Sequence, residues 1–505
     1  MLRRILIIAS GGAVGSTMLA LVSVRAGAIF GVGAQLDAYF VAVSLPSLLL
    51  SLSSTIVVAV LIPRLSDLDE PKARQRAGEW ALLAFLLSTL LAGLVELGSH
   101  LIISVLAPGL SIDTAHTANR VLQIMAIALP STMAAFVYSA YGYAFKRVWT
   151  GGASTALYGI VWLGLLFLHP FTESVQGIAV ACLIATQIQL LTAFLLCAAP
   201  TKLPWPRWRL PHRLIPAIMI ITGMLITTVT SKINLLLDPL FGSFLPHGGV
   251  SELSYASRIA ILFISFTGQG SALTILASGS RKVGRAADYR LLGLSVTMLL
   301  SVGAGTAVAL VFSPVATLVL AHGALTSSKA ETIGHLVQAY SVLIVVQSLA
   351  WSMEATLYAT KRVWTVTLVS VPALVVNIGL SALFVSLLGA YGRPLAVTIA
   401  MMLYVCLLMW VATPSEQRSF RSYISALPWL DAAKLLTLIS AICGTMLVGG
   451  DAIKADTPLW ALISLMVAAI ATLAYVRTWT RRAETRLKNA STTIPTLSDS
   501  PPTLA

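Results

Sequence analysis

The chain has 505 residues, of which 57% are hydrophobic and only 10% are charged. Water-soluble domains carry roughly a quarter charged residues, so a chain of this length could not hide so much apolar surface in a soluble core. The formal net charge of +14 raises nucleic-acid binding as a function, and the placement of the basic residues along the chain excludes it.

The apolar residues fall in runs of about 18 to 27, long enough to cross a hydrocarbon core of roughly 30 Å. They predict an all-α polytopic membrane protein of about fourteen transmembrane helices, near 5–30, 37–63, 79–106, 120–145, 151–168, 175–198, 214–240, 252–278, 290–313, 333–360, 363–388, 391–412, 433–449 and 457–476. Span 1 follows Arg3-Arg4 and contains Arg25. It has the outline of a secretory leader ending at Ala26-Gly27-Ala28, but the apolar stretch is too long for one. Span 2 opens on Asp37, and span 3 contains Glu96 with His100 one turn on. Spans 1–6 form an expected N-terminal six-helix lobe, 1–198, followed by a cytoplasmic linker, 199–213. Pro204, Trp205, Pro206, Trp208 and Pro211 suit that linker to an extended strap anchored at the interface by tryptophans.

Spans 7–12 form the expected C-terminal six-helix lobe, 214–412, with Lys232 in span 7, Arg258 in span 8 and Glu354 in span 10. Two additional membrane helices occupy 413–476. The tail, 477–505, is basic, then Ser/Thr/Pro-rich, and is expected to be disordered beyond about 490. Pro46, Pro130, Pro239 and Pro372 lie inside spans, which membrane helices tolerate. Cys182, Cys197, Cys406 and Cys443 also lie in spans, lack metal-ligand spacing, and read as small apolar fillers. No connection much exceeds 20 residues, and there is no phosphate-binding glycine loop or metal cluster. No cofactor and no enzymatic activity are therefore expected.

The basic residues alternate between the two faces. The N-terminus, the even-numbered connections and the tail hold 26 of the 33 Lys and Arg, whereas the odd-numbered connections hold only Arg120, Lys329, Arg393 and Lys454. This positive-inside bias implies an inner-membrane protein with both termini in the cytoplasm. The charge is thus a topology signal and an attraction for anionic lipid head groups.

The chain also repeats itself at an offset of about 211 to 215 residues. Lys146-Arg147-Val148-Trp149-Thr150 recurs as Lys361-Arg362-Val363-Trp364-Thr365. Val105-Leu106-Ala107-Pro108-Gly109 is echoed by Val319-Leu320-Ala321-His322-Gly323, and Ile29-Phe30-Gly31 by Leu240-Phe241-Gly242. An offset of six helices keeps membrane orientation, so two parallel lobes are expected, a transporter plan with the substrate between them.

Three basic residues remain inside spans: Arg25, Lys232 and Arg258. A charge at the bilayer centre costs at least about 2.5–3.5 kcal/mol, so such residues face a polar interior and mark function. Together they would line a cationic cavity for an anionic substrate, guanidinium matching phosphate oxygens. The competing reading has the arginines snorkel outward or pair with Asp37, Asp238 or Glu252, and Lys232 pair with Asp238. Glu354 and Glu96 are candidate ion-coupling carboxylates, or neutral structural groups. Asn234, Ser231 and Thr230 are assigned to helix packing.

Several segments bear a family resemblance. Ile29-Phe30-Gly31-Val32-Gly33 through Asp37-Ala38-Tyr39-Phe40-Val41-Ala42, then Leu45-Pro46, resembles the first helical hairpin of the MurJ (MviN) lipid II flippases. So do Ala107-Pro108-Gly109, Gly242-Ser243-Phe244-Leu245 to Tyr255-Ala256-Ser257-Arg258, and the surroundings of Tyr358. That family belongs to the multidrug/oligosaccharidyl-lipid/polysaccharide exporter superfamily, and the resemblance implies two six-helix lobes alternating access around a central cavity. It matches Arg258 and Asp37 to substrate-site positions. The arginines that MurJ proteins carry in their first two spans correspond here to Ser16, Val22 and Leu50, and Arg25 lies one turn from Val22.

The expected function is a flippase for a polyprenyl-diphosphate-linked saccharide, with substrate-binding residues Arg25, Lys232, Arg258 and Asp37. The missing arginines favour an undecaprenyl-linked saccharide of exopolysaccharide or O-antigen type over lipid II. The alternatives are a cation-coupled small-molecule exporter of multidrug type, a membrane polymerase or ligase for lipid-linked sugars, and a non-transporting scaffold. The expected partners are the lipid-linked saccharide and membrane lipids, with a coupling cation left open and no nucleic acid.

Overall fold

A computed structural model of the chain describes residues 18, 20–56, 61–145, 148–198, 226, 228–230, 232–269, 272, 286–359, 362–412, 427–452 and 457–492. Among these the chain forms seventeen helices and no strand. The first half comprises α1 (Ala20–Phe30), α2 (Ala34–Ile56), α3 (Ile62–Ser66), α4 (Glu70–Leu97), α5 (Ser99–Leu106), α6 (Ile112–Ala144), α7 (Val148–Leu165) and α8 (Val175–Ala193). The second comprises α9 (Asn234–Gly242), α10 (Gly249–Ile264), α11 (Ala286–Leu320), α12 (Ser327–Ala339), α13 (Ser341–Ala359), α14 (Val363–Leu388) and α15 (Gly392–Ala412). A final hairpin, α16 (Trp429–Ala452) and α17 (Thr457–Thr492), completes the chain.

Ten stretches are long and apolar enough to cross a membrane, and one of them, Trp364–Val411, holds both α14 and α15. Shorter apolar helices, Ala20–Phe30 and Ala153–Leu165, stand where spans 1 and 5 are expected. Residues 1–17, most of span 7 before Lys232, the 199–213 linker and Lys146, Arg147 and Lys361 of the repeated motif lie outside the described residues. Helices outrun the apolar runs where basic turns extend them. Thus α4 begins at Glu70 with Pro71 in its first turn, where a missing N–H costs nothing. α17 continues through the basic segment to Thr492, so the part of the tail up to that residue is helical. Two spans break: span 3 at Gly98 between α4 and α5, and span 10 at Tyr340 between α12 and α13.

Helix α6 is the hub of the first half, packing on α2, α4, α7 and α8, and α11 is the hub of the second, packing on α12, α13, α16 and α17. The α16–α17 hairpin is pinned by Asp431, which accepts from the Tyr475 hydroxyl at 3.1 Å and from Trp479 Nε1 at 3.0 Å. Leu86, Leu90, Leu94, Leu97 and Leu101 are exposed at helical spacing along α4 and α5. Such an outward apolar stripe belongs against lipid tails. Hydroxyls inside the helices donate to carbonyls one turn back, as Ser53 to Leu49, Thr132 to Ala128 and Thr230 to Ile226. Without water, each must find a partner within the protein.

Candidate functional site

The halves meet at one end of the bundle and part around a cavity of about 560 Å³. The repeated motifs make the meeting, crosswise. The Ala324 N–H, next to Gly323, donates to the Ala28 carbonyl at 2.8 Å, and the Gly109 N–H donates to Ser243 Oγ at 3.2 Å. Backbone approaches backbone so closely there that a Cβ on Gly323 would lie 2.1 Å from the Ala28 oxygen, and one on Gly109 would lie 2.2 Å from the Ser243 oxygen. Gly323, at φ +64°, also needs the left-handed region that favours glycine.

Asp37 locks the same end and does not line the cavity. It is buried at the start of α2 and accepts the N–H groups of Gly248 and Ser251, each at 2.7 Å, together with the Ser251 hydroxyl. It is therefore an N-cap supplied across the gap between the halves. α10 exposes free N–H groups and a positive dipole end, and a carboxylate from α2 satisfies both. Nearby, the Tyr255 hydroxyl of α10 donates to the Ser23 carbonyl of α1 at 2.6 Å. Glu252 in the first turn of α10 pairs with Lys329 of α12, within the second half.

The wall contributed by α1, α2, α6, α7 and α8 is uncharged, with Ser47, Leu50, Thr132, Tyr158 and Gln189 among its residues. Leu50 lines the cavity, whereas Val22 is 1% exposed in the core. Every charged group of the lining comes from the opposite wall: Lys232, just before α9, Asp238 of α9 and Arg258 of α10. Lys232 Nζ stands 4.8 Å from the Trp351 ring centroid, and the Arg258 guanidinium 4.9 Å from that of Phe40. Among the described residues neither forms an ion pair. A cation over an aromatic face is attracted by about 0.5–2 kcal/mol, less than a buried charge needs for balance.

Asp238 pairs with neither cation of the lining. Its partner is Arg393, which the sequence assigns to a connection outside the membrane and which is in fact fully buried. Its Nε donates to Asp238 Oδ1 at 2.8 Å, Nη1 to Asn377 Oδ1 and Ser381 Oγ at 2.8 Å each, and Nη2 to Asn234 Oδ1 at 2.7 Å. The turn between α14 and α15 spans only Gly389–Tyr391, so α15 restarts at once and carries Arg393 inward in its first turn. Asn377 and Ser381, one turn apart on α14, face it, as does Asp238 on α9. That Asn–Ser spacing beside a loop too short to reach water was the available signal. Asn234 belongs to this polar cluster and also lines the cavity.

Arg25 departs from expectation in the opposite sense. Its Nε donates to the Leu166 carbonyl at 3.3 Å, and its guanidinium lies 4.6 Å from the Phe167 ring centroid, at the end of α7. It does not line the cavity. Among the described residues, two basic groups line the cavity, Lys232 and Arg258, and Arg393 stands behind the lining, bonded to Asp238. Glu354 is buried on α13, accepts from the Tyr404 hydroxyl at 2.8 Å, and lies within electrostatic reach of Lys232. Glu96 is exposed, in the last turn of α4, away from the cavity. Cys182 lines the cavity with its Sγ 3.4 Å from the Tyr158 hydroxyl.

The family described as lipid II flippase MurJ matches residues 26–470. Among solved structures, the chain is similar to a lipid II flippase MurJ in an inward closed conformation, at 18% identity and TM-score 0.75, covering 94% of this chain and 99% of that one. It is also similar to an inward-facing multidrug resistance MATE transporter, at 16% identity and TM-score 0.66 over 81% of this chain and 95% of that one. A transporter of the same superfamily from Pyrococcus furiosus matches at 15% identity and TM-score 0.62, over 84% of this chain and 96% of that one. Its all-helical membrane fold and its match over most of its length make this chain a member of the MurJ lipid II flippase family, transporters that flip a lipid-linked saccharide.

Proposed function

We propose that the cavity receives the diphosphate of a polyprenyl-diphosphate-linked saccharide at Arg258 and Lys232, and that two lobes, 1–198 and 214–412, then swing to expose it on the other side. The observation that carries this reading is the pair of cations in the cavity wall that form no ion pair among the described residues. Uncompensated charges are costly in a low-dielectric interior, so such a site is suited to an anion that arrives from outside. Arg258 offers a planar fork to phosphate oxygens, and Lys232 a point charge. The uncharged wall opposite, with Ser47, Thr132 and Gln189, supplies neutral hydrogen-bonding groups for a saccharide.

With both termini in the cytoplasm, the end held by Asp37 is the periplasmic one, and the substrate loads from the cytoplasmic leaflet. Release then requires the Asp37 cap to break. A membrane potential negative inside favours outward movement of the anion by about 2.3 kcal/mol per charge per 100 mV. Of the two acids considered for ion coupling, we assign that role to Glu354, the neighbour of Lys232. Leucine at position 50 of the lining, where lipid II flippases carry arginine by the resemblance, points to an undecaprenyl-linked saccharide other than lipid II.

Binding of undecaprenyl diphosphate to the purified protein tests the assignment. Arg258→Gln and Lys232→Gln should each weaken it about 10- to 100-fold, the worth of one charge-assisted hydrogen bond. Wild-type affinity in both variants would refute it.

A further inference from the structure

Arg258 lies beside a carboxylate and yet does not pair with it. Asp238 lines the same cavity, one helix away and within electrostatic reach. In a medium where attraction between charges is strong, a carboxylate and a guanidinium so placed close into an ion pair. Such a pair would neutralise the group that meets the substrate's diphosphate. Asp238 pairs with Arg393 instead. Its Nε takes Asp238 Oδ1, and its other nitrogens are used up by Asn377, Ser381 and Asn234.

The cage is organised to hold that arrangement. Asn377 Nδ2 donates to Asn234 Oδ1 at 2.8 Å, which turns both amide oxygens toward the guanidinium. Ser381 in turn donates to Asn377 Oδ1 at 3.3 Å. Arg393, on α15, is thereby tied to α9 and α14, whereas Arg258, without an ion pair among the described residues, rests against the Phe40 ring. Of the two arginines near Asp238, one is bonded through all three of its nitrogens and the other forms no ion pair among the described residues.

We propose that Arg393 is a positioning residue for substrate binding: it occupies Asp238, and so keeps the Arg258 guanidinium available to the diphosphate. The proposal rests on the reading that Arg258 receives the diphosphate. Arg393 itself touches no substrate. Its removal releases a buried carboxylate, which closes onto Arg258 and competes with the incoming anion.

The test uses the full-length protein in detergent with farnesyl diphosphate as the probe, titrated calorimetrically, with thermal stability measured alongside. Arg393→Leu should weaken binding at least tenfold. Arg393→Leu with Asp238→Asn should recover affinity to within threefold of wild type, because the competing carboxylate is gone. Asp238→Asn alone should bind at least as tightly as wild type. If Arg393→Leu does not fold, Arg393→Gln, which keeps an amide for the cage and drops the charge, carries the same expectation.

A purely structural Arg393 would leave the affinity of the folded fraction unchanged in the single variant, and that result overturns the proposal. Failure of the folded double variant to recover affinity also overturns it. Loss of binding in Arg258→Gln with none in Arg393→Leu would sink this inference alone. Equal binding by wild type and Arg258→Gln would sink the diphosphate reading, and this inference with it.

Discussion

Removing the Asp37 carboxylate should open the closed end of the bundle. The carboxylate accepts three hydrogen bonds across the gap, from the Gly248 and Ser251 N–H groups and the Ser251 hydroxyl. Bonds to a charged acceptor contribute about 1.5–3 kcal/mol each, and water would recover part of that when the halves part. At about 1 kcal/mol net for each, Asp37→Ala removes about 3 kcal/mol, a factor of about 150 in the ratio of closed to open molecules. Asp37→Asn keeps one acceptor but turns an amide donor toward an N–H, so its effect should be about tenfold. Spin labels at Ile112 and Phe244, both exposed and on opposite halves at this end, report the change through their distance distribution. The background lacks Cys182, Cys197, Cys406 and Cys443. The wild-type protein should give a short distance, and Asp37→Ala should add a population at longer separation. An unchanged distribution in a folded Asp37→Ala protein would show that the cap does not hold the halves together.

Gly323→Ala should shift the same distribution toward the long distance, since the new methyl would collide with the Ala28 carbonyl and sit at positive φ, where alanine loses about 1–2 kcal/mol. Gly109→Ala, at the crosswise counterpart, should behave alike, and Gly33→Ala, whose Cβ would meet nothing within 4 Å, should be silent. Equal behaviour of Gly323→Ala and Gly33→Ala would undo that argument. Glu96→Gln should leave transport rates within twofold of wild type, because the side chain is exposed in the last turn of α4; a large loss would return it to the list of coupling groups.

Much of this architecture was legible because a membrane imposes coarse rules on sequence. Apolar run length announced the helices. The repeated Phe-Gly and Ala-x-Gly segments turned out to be the places where the halves touch. Charge roles inside the bundle were harder to read, since hydropathy gives depth along a helix but not direction around it. Arg25 lies on the apolar helix α1, and its guanidinium turns to the end of α7. Arg393 falls in a connection by the Lys/Arg census, while the tightness of the Gly389–Tyr391 turn carries it indoors. Asp37 matched a family position, but only the fold brings it against the N-terminus of a helix more than 200 residues away, at Gly248 and Ser251.

Flipping of a fluorescent polyprenyl-diphosphate saccharide by the protein in liposomes bears most directly on the central claim, that the cations of the cavity wall carry the substrate's diphosphate. Arg258→Gln should slow translocation at least tenfold, whereas Arg25→Gln, turned toward Leu166 and Phe167, should remain within twofold of wild type. Equal rates for Arg258→Gln and wild type, or a loss confined to Arg25→Gln, would contradict the account.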